Sequence, residues 1–264
     1  MLTIATNKYV HYWREMAYSL DRYLSMHNDV TFVVYTDQSQ AIREMSSNLA
    51  FSKVEIIEIP SWKWPEVALK RYEVINSAIS RIEQDYLVYI DADMVALSDI
   101  PKVTEILENA SIALTRHPGF WRPDKPGKYF LYLRHPILAT RDLRMWLKIG
   151  GLGAWESNNR STSFIPRSER KLYFCGGFWL GKKTDIESLS NELMKQTDRD
   201  FQNGVEAKWL DESHLNRWAV SHKGEFKVLS PEYCFDGSYS QLARLRPKIE
   251  AVDKSSHPVE NLNG

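Results

Sequence analysis

The chain has 264 residues, and its 34 lysines and arginines balance 34 aspartates and glutamates, so it lacks the positive charge of a nucleic-acid-binding protein. Its length allows one large domain or two small ones, and its hydrophobic content supports a sizeable core. The only cysteines, Cys175 and Cys234, argue against a disulfide scaffold and for a reducing compartment. Neither a long apolar run nor a signal-peptide pattern is present, which predicts a cytoplasmic protein without a transmembrane segment.

The first 115 residues alternate strand and helix patterns. In chain order they predict a strand in MLTIAT, a helix in HYWREMAYSLDRYLSM, buried strands in VTFVVYTD and KVEIIEIP, a helix in PEVALKRYEVINSAISRI, and a strand in YLVYI. This alternation predicts an α/β fold with a mostly parallel sheet covered by helices. In such sheets ligands bind beyond the carboxyl ends of the strands.

Two aspartates, Asp91 and Asp93, directly follow the strand YLVYI. Carboxylates this close repel each other unless a proton or a cation lies between them. Magnesium and manganese accept carboxylates together with the phosphates of a substrate. The pair therefore favours metal-assisted chemistry on a phosphorylated compound, and an acidic turn after a strand is the alternative.

The pattern changes after residue 116. RHPGFWRPDKPGK predicts a loop, and HPILATRDLRMWLKIGG predicts a helix that ends at its glycines and has apolar residues available for packing: Ile137, Leu143, Trp146 and Leu147. KLYFCGGFWLGKK predicts a strand whose glycines, Gly176 and Gly177, mark close approach of a ligand. LDESHLNRWAV begins like a helix, and the last 25 residues are expected to be loosely ordered.

Several segments together resemble one enzyme family. They occur in this order over most of the chain: ATNKY, WPEVALKRY, DYLVYIDADM, HPGFW, WESNNRSTSFIP, YFCGGFWLG, WLDESHLNRW and LSPEYCFD. The chain is similar to glycosyltransferase family 6, the retaining α1,3-galactosyl- and N-acetylgalactosaminyltransferases that include the blood-group A and B enzymes. The resemblance implies a glycosyltransferase A-type fold in one catalytic domain, residues 1–264. A Rossmann-like nucleotide-binding half would cover about 1–115, and an acceptor half with a C-terminal tail about 116–264.

The same resemblance implies a donor site. It would bind UDP-N-acetylgalactosamine or UDP-galactose with manganese, or alternatively magnesium, held by Asp91 and Asp93 against the diphosphate. Tyr9 would stack near the uracil, Arg71 would approach the donor, and Glu212 would lie beside the anomeric carbon as the catalytic residue. The remaining donor-binding positions are Ala5, Gly176, Gly177, Asp211 and Lys254.

An acceptor site is implied as well. Its residues would be His117, Trp209 and His214. Its ligand would be a galactoside, and a fucosylated galactoside is one form of this acceptor. Glycine at position 177 leaves room for an acetamido group and so predicts a preference for the N-acetylgalactosamine donor.

Each site residue also has a structural alternative. Asp211 could cap a helix and Glu212 could sit in its acidic first turn, where the helix dipole favours negative charge. His214 could be a structural histidine, His117 a turn residue, and Arg71 a solvent-facing arginine.

The chain also departs from the family pattern. WESN replaces the family's YERR, and Glu260 stands where a C-terminal arginine would be. About two dozen extra residues follow HPGFW and carry basic side chains, beyond ordinary loop variation. They predict either a packed extra helix or a platform for an acceptor or a membrane surface.

Two other functional classes fit parts of the sequence. IDADMV also matches the motif of haloacid-dehalogenase-type phosphatases, in which Asp91 would be the nucleophile. A non-catalytic carbohydrate-binding module would use the aromatic residues without needing the aspartate pair.

Overall fold

The computed structural model describes residues 1–254. Its strands are β1 (Leu2–Ile4), β2 (Thr31–Thr36), β3 (Lys53–Glu58), β4 (Tyr86–Ile90), β5 (Met94–Ala96), β6 (Ile112–Arg116), β7 (Phe174–Lys182), β8 (Lys227–Leu229) and β9 (Ile249–Ala251). Its α-helices are α1 (Tyr9–Tyr23), α2 (Ser39–Ser46), α3 (Glu66–Leu69), α4 (Arg71–Ile79), α5 (Val103–Leu107), α6 (Gly127–Arg134), α7 (Pro136–Ile149), α8 (Lys183–Gln202) and α9 (Leu210–Ser221).

Seven of the strands described form one sheet in the order β3-β2-β1-β4-β7-β6-β8. The first four run parallel, β7 is antiparallel to both of its neighbours, and β8 is parallel to β6. This confirms the predicted α/β class and its mostly parallel central sheet. Because β7 lies beside β4, Gly176 and Gly177 are brought to the end of the strand that precedes the aspartates.

Hydrophobic clusters cover both faces of the sheet. On one face α1 packs through Trp13, Met16 and Leu20, all fully buried. On the other, α4 packs with α8 and α9, and Ile75 is fully buried. The apolar stripes predicted for α1 and α4 therefore do face the core.

Three details differ from the predicted elements. KVEIIEIP forms β3, but β3 is an edge strand with alternating exposure rather than a buried one. The helix expected over PEVALKRYEVINSAISRI is divided into α3 and α4 at Lys70, whose dihedral angles are not helical. Within the terminal stretch expected to be loose, Ile249–Ala251 pairs with β5 as β9, while Glu260 lies outside the described residues.

The predicted helix α7 is confirmed and ends at Gly150, which adopts a left-handed conformation with φ 81°. The expectation that its apolar residues pack against this chain is wrong. The exposed fractions of Ile137, Leu143, Trp146 and Leu147 are 86%, 59%, 62% and 59%. Across residues 1–254, no helix is long and apolar enough to cross a membrane.

Candidate active site

Arg71 is the centre of a polar network at the carboxyl end of β4. Its side chain is only 13% exposed and pairs with Asp91 Oδ1 at 3.0 Å and with Asp211 Oδ2 at 2.7 Å. It also donates to the carbonyl oxygen of Gly176 at 3.0 Å. The solvent-facing alternative for Arg71 is therefore wrong, because this guanidinium joins three distant segments of the chain.

Tyr89 belongs to this network, although the sequence analysis did not identify it. Its ring lies 4.6 Å from the Arg71 guanidinium, and its hydroxyl donates to Asp91 Oδ1 at 2.8 Å. The spacing of Tyr89 and Asp91 in the sequence could have indicated this contact, because residues two apart on an extended strand point to the same face. A tyrosine two positions before the first aspartate was therefore a candidate partner for it.

The acidic pair Asp211 and Glu212 does not act as a helix cap. Trp209 occupies the cap position of α9 without a side-chain bond, whereas Asp211 turns toward Arg71. Glu212 Oε2 accepts a hydrogen bond from the backbone N–H of Gly176 at 2.9 Å. The capping alternative for Asp211 is thus wrong, and α9 instead places both carboxylates against β7.

Asn216 holds α9 in this position and was also missed. Its side-chain amide exchanges two hydrogen bonds of 2.9 Å with the backbone of Phe174, at the start of β7. It also donates to the Glu212 carbonyl oxygen at 2.9 Å. Asn216 lies one turn after Glu212, so the helix and the glycine strand are fixed together next to the acidic group.

Burial raises the pKa of Asp211 and of Glu212 to about 7. Arg71 lowers the pKa of Asp211, and the Gly176 N–H lowers that of Glu212, but neither offsets the desolvation. The interior thus keeps the two acids poised to change charge near neutral pH, as is common for functional carboxyl groups.

A second cluster joins Asp93, Lys254 and Tyr9. The Lys254 ammonium lies 2.5 Å from Asp93 Oδ2, donates to the Tyr9 hydroxyl at 3.0 Å and sits 4.9 Å from the centre of that ring. Burial raises the pKa of Asp93, and the charge of Asp91 raises it further. The three residues come from α1, the turn after β4 and the end of the described chain, so three residues assigned to the donor site lie together, and their role in binding a donor stays a prediction.

The aspartate pair fits a divalent cation. Asp93 already forms an ion pair with the positive group of Lys254. The charge of Asp91 raises the pKa of Asp93, so the two carboxylates lie close to each other. Among residues 1–254 no three metal-ligating side chains gather into a cage. Magnesium-type ions are commonly bound by one or two carboxylates, with phosphate oxygens and water completing the shell.

Side chains of the site crowd two glycines of β7, Gly176 and Gly177. A Cβ on Gly176 would stand 3.1 Å from Arg71 Nη1 and 3.3 Å from Asp211 Oδ2. A Cβ on Gly177 would stand 3.0 Å from Asp91 Oδ2 and 3.3 Å from the sulfur of Met94. The neighbours of the two glycines in this structure are side chains of the site itself, and the close approach of a ligand stays a prediction.

His117 lies next to Tyr173, which interacts with Glu212. Burial lowers its pKa to about 4, and Nδ1 accepts from the Gly119 N–H at 3.1 Å, so the neutral ring carries its proton on Nε2. The centre of its ring is 5.8 Å from that of the Tyr173 ring. Burial raises the pKa of Tyr173, and the charge of Glu212 raises it further. His117 does form a turn before Pro118, and the turn faces the site.

The other predicted residues lie apart from this network. Trp209 is 51% exposed beside α9, which suits contact with a ligand. His214 is 1% exposed and faces Asp200, with its Nε2 3.8 Å from that carboxylate. Ala5 is fully buried at the end of β1. The acceptor role of His214 and the donor role of Ala5 remain predictions.

A sequence model described as glycosyltransferase family 6 matches residues 1–140 and 152–261. Histo-blood group ABO system transferase 1 of Rattus norvegicus is 29% identical over 99% of this chain and 68% of its own length. Globoside alpha-1,3-N-acetylgalactosaminyltransferase 1 of Canis lupus familiaris is 26% identical over 97% of this chain and 66% of its own length. Alpha-1,3-galactosyltransferase 2 of Homo sapiens is 47% identical over 40% of this chain and 32% of its own length.

Proposed function

Because the chain belongs to glycosyltransferase family 6, we propose that it is a retaining α1,3-hexosyltransferase that moves N-acetylgalactosamine from UDP-N-acetylgalactosamine to the 3-hydroxyl of a galactoside. UDP-galactose is the second candidate donor. Relatives named for each of these sugars align with the chain, so the family assignment leaves the choice open. The family assignment gives no support to a haloacid-dehalogenase-type phosphatase or to a non-catalytic carbohydrate-binding module.

The observation that carries the proposal is the convergence of Glu212 with the aspartate end of β4. Glu212 is bound to the Gly176 N–H, the Gly176 carbonyl is bound to Arg71, and Arg71 is bound to Asp91. A retaining transfer develops positive charge at the anomeric carbon. A carboxylate fixed on the face opposite the leaving group stabilises that charge or attacks the carbon.

The remaining residues would position the donor. Asp91 and Asp93 would hold manganese or magnesium, which when bound supplies positive charge next to the leaving diphosphate. Tyr9 would stack on the uracil, and Lys254 would turn from Asp93 toward the diphosphate. Arg71 would hold the carboxylates of Asp91 and Asp211 in a fixed direction, because it pairs with both.

The donor preference rests on Gly177. A methyl group at this position would stand 3.0 Å from Asp91 Oδ2 and 3.3 Å from the sulfur of Met94, so glycine keeps the wall beside the aspartates clear of a side chain. The acetamido group of the donor would lie against this part of the wall. The acceptor would lie between His117 and the exposed ring of Trp209, and a fucosylated galactoside is one candidate. A cytoplasmic location remains a prediction from the cysteine content.

A panel of nucleotide sugars tests the proposal directly. Purified protein with manganese would be given each UDP sugar, with and without galactoside acceptors that do or do not carry fucose. Release of uridine diphosphate should be fastest with UDP-N-acetylgalactosamine and should rise when acceptor is added. Faster turnover with UDP-galactose at saturating acceptor would refute the donor choice, and no turnover with any UDP sugar would refute the activity.

A further inference from the structure

The helices α6 and α7 expose an unusual amount of apolar surface. Seven of the fifteen large hydrophobic side chains that are exposed in residues 1–254 lie between Tyr129 and Leu147. Patches of this kind on a folded protein commonly mark a binding surface. These seven side chains include Tyr129, Phe130 and Leu133 on α6, and Leu143, Trp146 and Leu147 on α7.

The same segment is strongly basic. Residues 125–149 contain six lysines and arginines and one acidic residue, whereas the complete chain has equal numbers of both charges. That acid, Asp142, is 5% exposed and forms an ion pair with Arg122 through bonds of 2.5 and 2.6 Å. The charge displayed by the segment is therefore almost entirely positive.

On α7 the apolar and basic groups separate onto two flanks. Leu143, Trp146 and Leu147 have the spacing i, i+3, i+4 and share one flank of the helix. Arg144 and Lys148, four residues apart, share the neighbouring flank. Leu138 and Asp142 face the protein and are buried. Aromatic and aliphatic groups beside lysine and arginine are typical of helices that lie in a membrane interface.

Both helices are fixed next to the candidate acceptor site. Arg122, which pairs with Asp142, also donates to the Gly119 carbonyl oxygen at 3.3 Å, and Tyr132 of α6 donates to Asp142 at 2.7 Å. Arg141 donates to the same Gly119 oxygen at 3.1 Å. Gly119 follows His117 by two residues and hydrogen-bonds to its ring. A surface that docks on α6 and α7 would thus lie close to the acceptor wall.

We propose that the exposed flanks of α6 and α7 dock this protein onto an anionic lipid bilayer. Positive side chains next to exposed leucines and aromatics match both the charge and the apolar interior of such a membrane. A second copy of the chain is a poorer occupant, because a symmetric contact would bring the same positive groups face to face. The family model matches α6 but not residues 141–151, so the part of this surface formed by Leu143, Trp146 and Leu147 lies outside the family pattern.

Vesicle sedimentation with the full-length protein tests the proposal. We expect binding to vesicles of phosphatidylcholine mixed with phosphatidylglycerol, and much weaker binding to phosphatidylcholine alone. Each lysine or arginine near an anionic bilayer strengthens binding by about fivefold, so Arg144→Glu/Lys148→Glu should weaken it by at least about 25-fold. Leu143→Glu/Leu147→Glu should abolish it, because charged groups would replace the apolar contacts.

Two control variants make the same changes elsewhere. Lys195→Glu/Arg199→Glu reverses two exposed charges, also four residues apart, on α8. Phe201→Glu replaces a side chain that is 80% exposed on the same helix. Both should bind the anionic vesicles like the unmodified protein, and circular dichroism should show that every variant is folded.

The proposal rests on binding and not on the transferase activity, so its failure is separate from that of the proposed function. Absence of binding to anionic vesicles would overturn it, as would equal losses in the control variants. Sedimentation velocity without lipid should show a monomer. A dimer that dissociates in Leu143→Glu/Leu147→Glu would show instead that the surface binds a second copy.

Discussion

In most folded proteins charged side chains lie at the surface and large apolar side chains lie in the interior. The Arg71 network and the α6–α7 surface each depart from one half of this rule. In the network, charged groups lie in the interior and are held by partners at hydrogen-bonding distance. On α6 and α7, large apolar groups face the solvent. Buried polar groups and exposed apolar patches are the informative exceptions in a folded chain, since exposed single hydrophobic residues are common.

The two regions also differ in what a substitution can affect. The network groups are desolvated and coupled, so losing one charge changes the pKa and the position of the others. The exposed flanks of α6 and α7 have few partners to disturb, so changes there should affect binding while leaving the fold and the chemistry intact.

Asp93→Asn should cause the largest change. It removes one charge from the cation site, where charge stabilisation by a metal contributes several kcal/mol, so metal-dependent transfer should fall by about a thousandfold. The measurement is release of uridine diphosphate with manganese and with excess chelator. Asp99→Asn, an exposed aspartate nearby, is the matched control and should keep full activity. Undiminished transfer in the Asp93 variant, or in the unmodified enzyme with chelator, would contradict the cation site.

Glu212→Gln should lower turnover by about a hundredfold or more and leave donor affinity nearly unchanged, because the charge acts mainly in the transition state. Glutamine keeps the shape and the acceptor for the Gly176 N–H. Turnover and donor affinity would be measured together, with Glu206→Gln at an exposed position as control. A Glu212 variant with normal turnover would show that this carboxylate is only a structural group.

The same substitution should stabilise the protein at alkaline pH. Burial raises the pKa of Glu212 to about 7 in the folded protein, above its ordinary value, so the native state binds more protons and loses stability as pH rises toward 7. Above that pH the ionised group costs on the order of 2 kcal/mol, which glutamine avoids. Urea unfolding at pH 5 should give similar midpoints for both proteins, and at pH 8 a higher midpoint for the variant. A lower midpoint at pH 8 would contradict the assigned burial cost.

Gly177→Ala should shift the donor preference toward galactose by about tenfold, as expected for small volume differences in a binding pocket. The added Cβ also presses on Asp91 Oδ2, so the rates with both donors should fall. The ratio of kcat/KM for the two UDP sugars is the relevant quantity, because it cancels a general loss caused by Asp91. An unchanged ratio would remove Gly177 from donor selection.

Tyr132→Phe should have the smallest effect. It removes one hydrogen bond from Asp142 and should cost about 1 kcal/mol. Amide exchange in α6 should quicken by about fivefold while transfer activity stays the same. Tyr129→Phe, in the same helix but half exposed, is the control. Slower transfer in the Tyr132 variant would show that the α6–α7 surface is coupled to the chemistry.

The sequence predicted the elements whose apolar pattern is long and regular, such as α1, β2 and α7. It could not predict that β3 lies at an edge, because a strand's exposure depends on which neighbours it receives in the sheet. Arg71 and Asp211 were each given a local alternative, solvent contact or a helix cap, that was reasonable from neighbouring residues. Both alternatives were wrong because the two side chains meet across 140 positions of the chain. The apolar residues of α7 were expected to be packed and are exposed instead. An apolar stripe on a helix predicts that the helix has a packing partner, but it does not reveal whether that partner belongs to the same chain.

The assembly of the Arg71 network from remote segments has a consequence for folding. The bond from Arg71 to Gly176 joins groups 105 positions apart, and that from Tyr72 to Asp211 joins groups 139 positions apart. Closing such long loops has an entropic cost that must be met before the contacts stabilise anything, and chains rich in distant contacts fold slowly. A chain growing from its N-terminus cannot complete the Arg71 network until α9 has been synthesised, because Asp211 lies on α9. Recovery of activity during refolding should therefore follow the completion of the whole sheet and its helices, and should lag behind the recovery of helical signal.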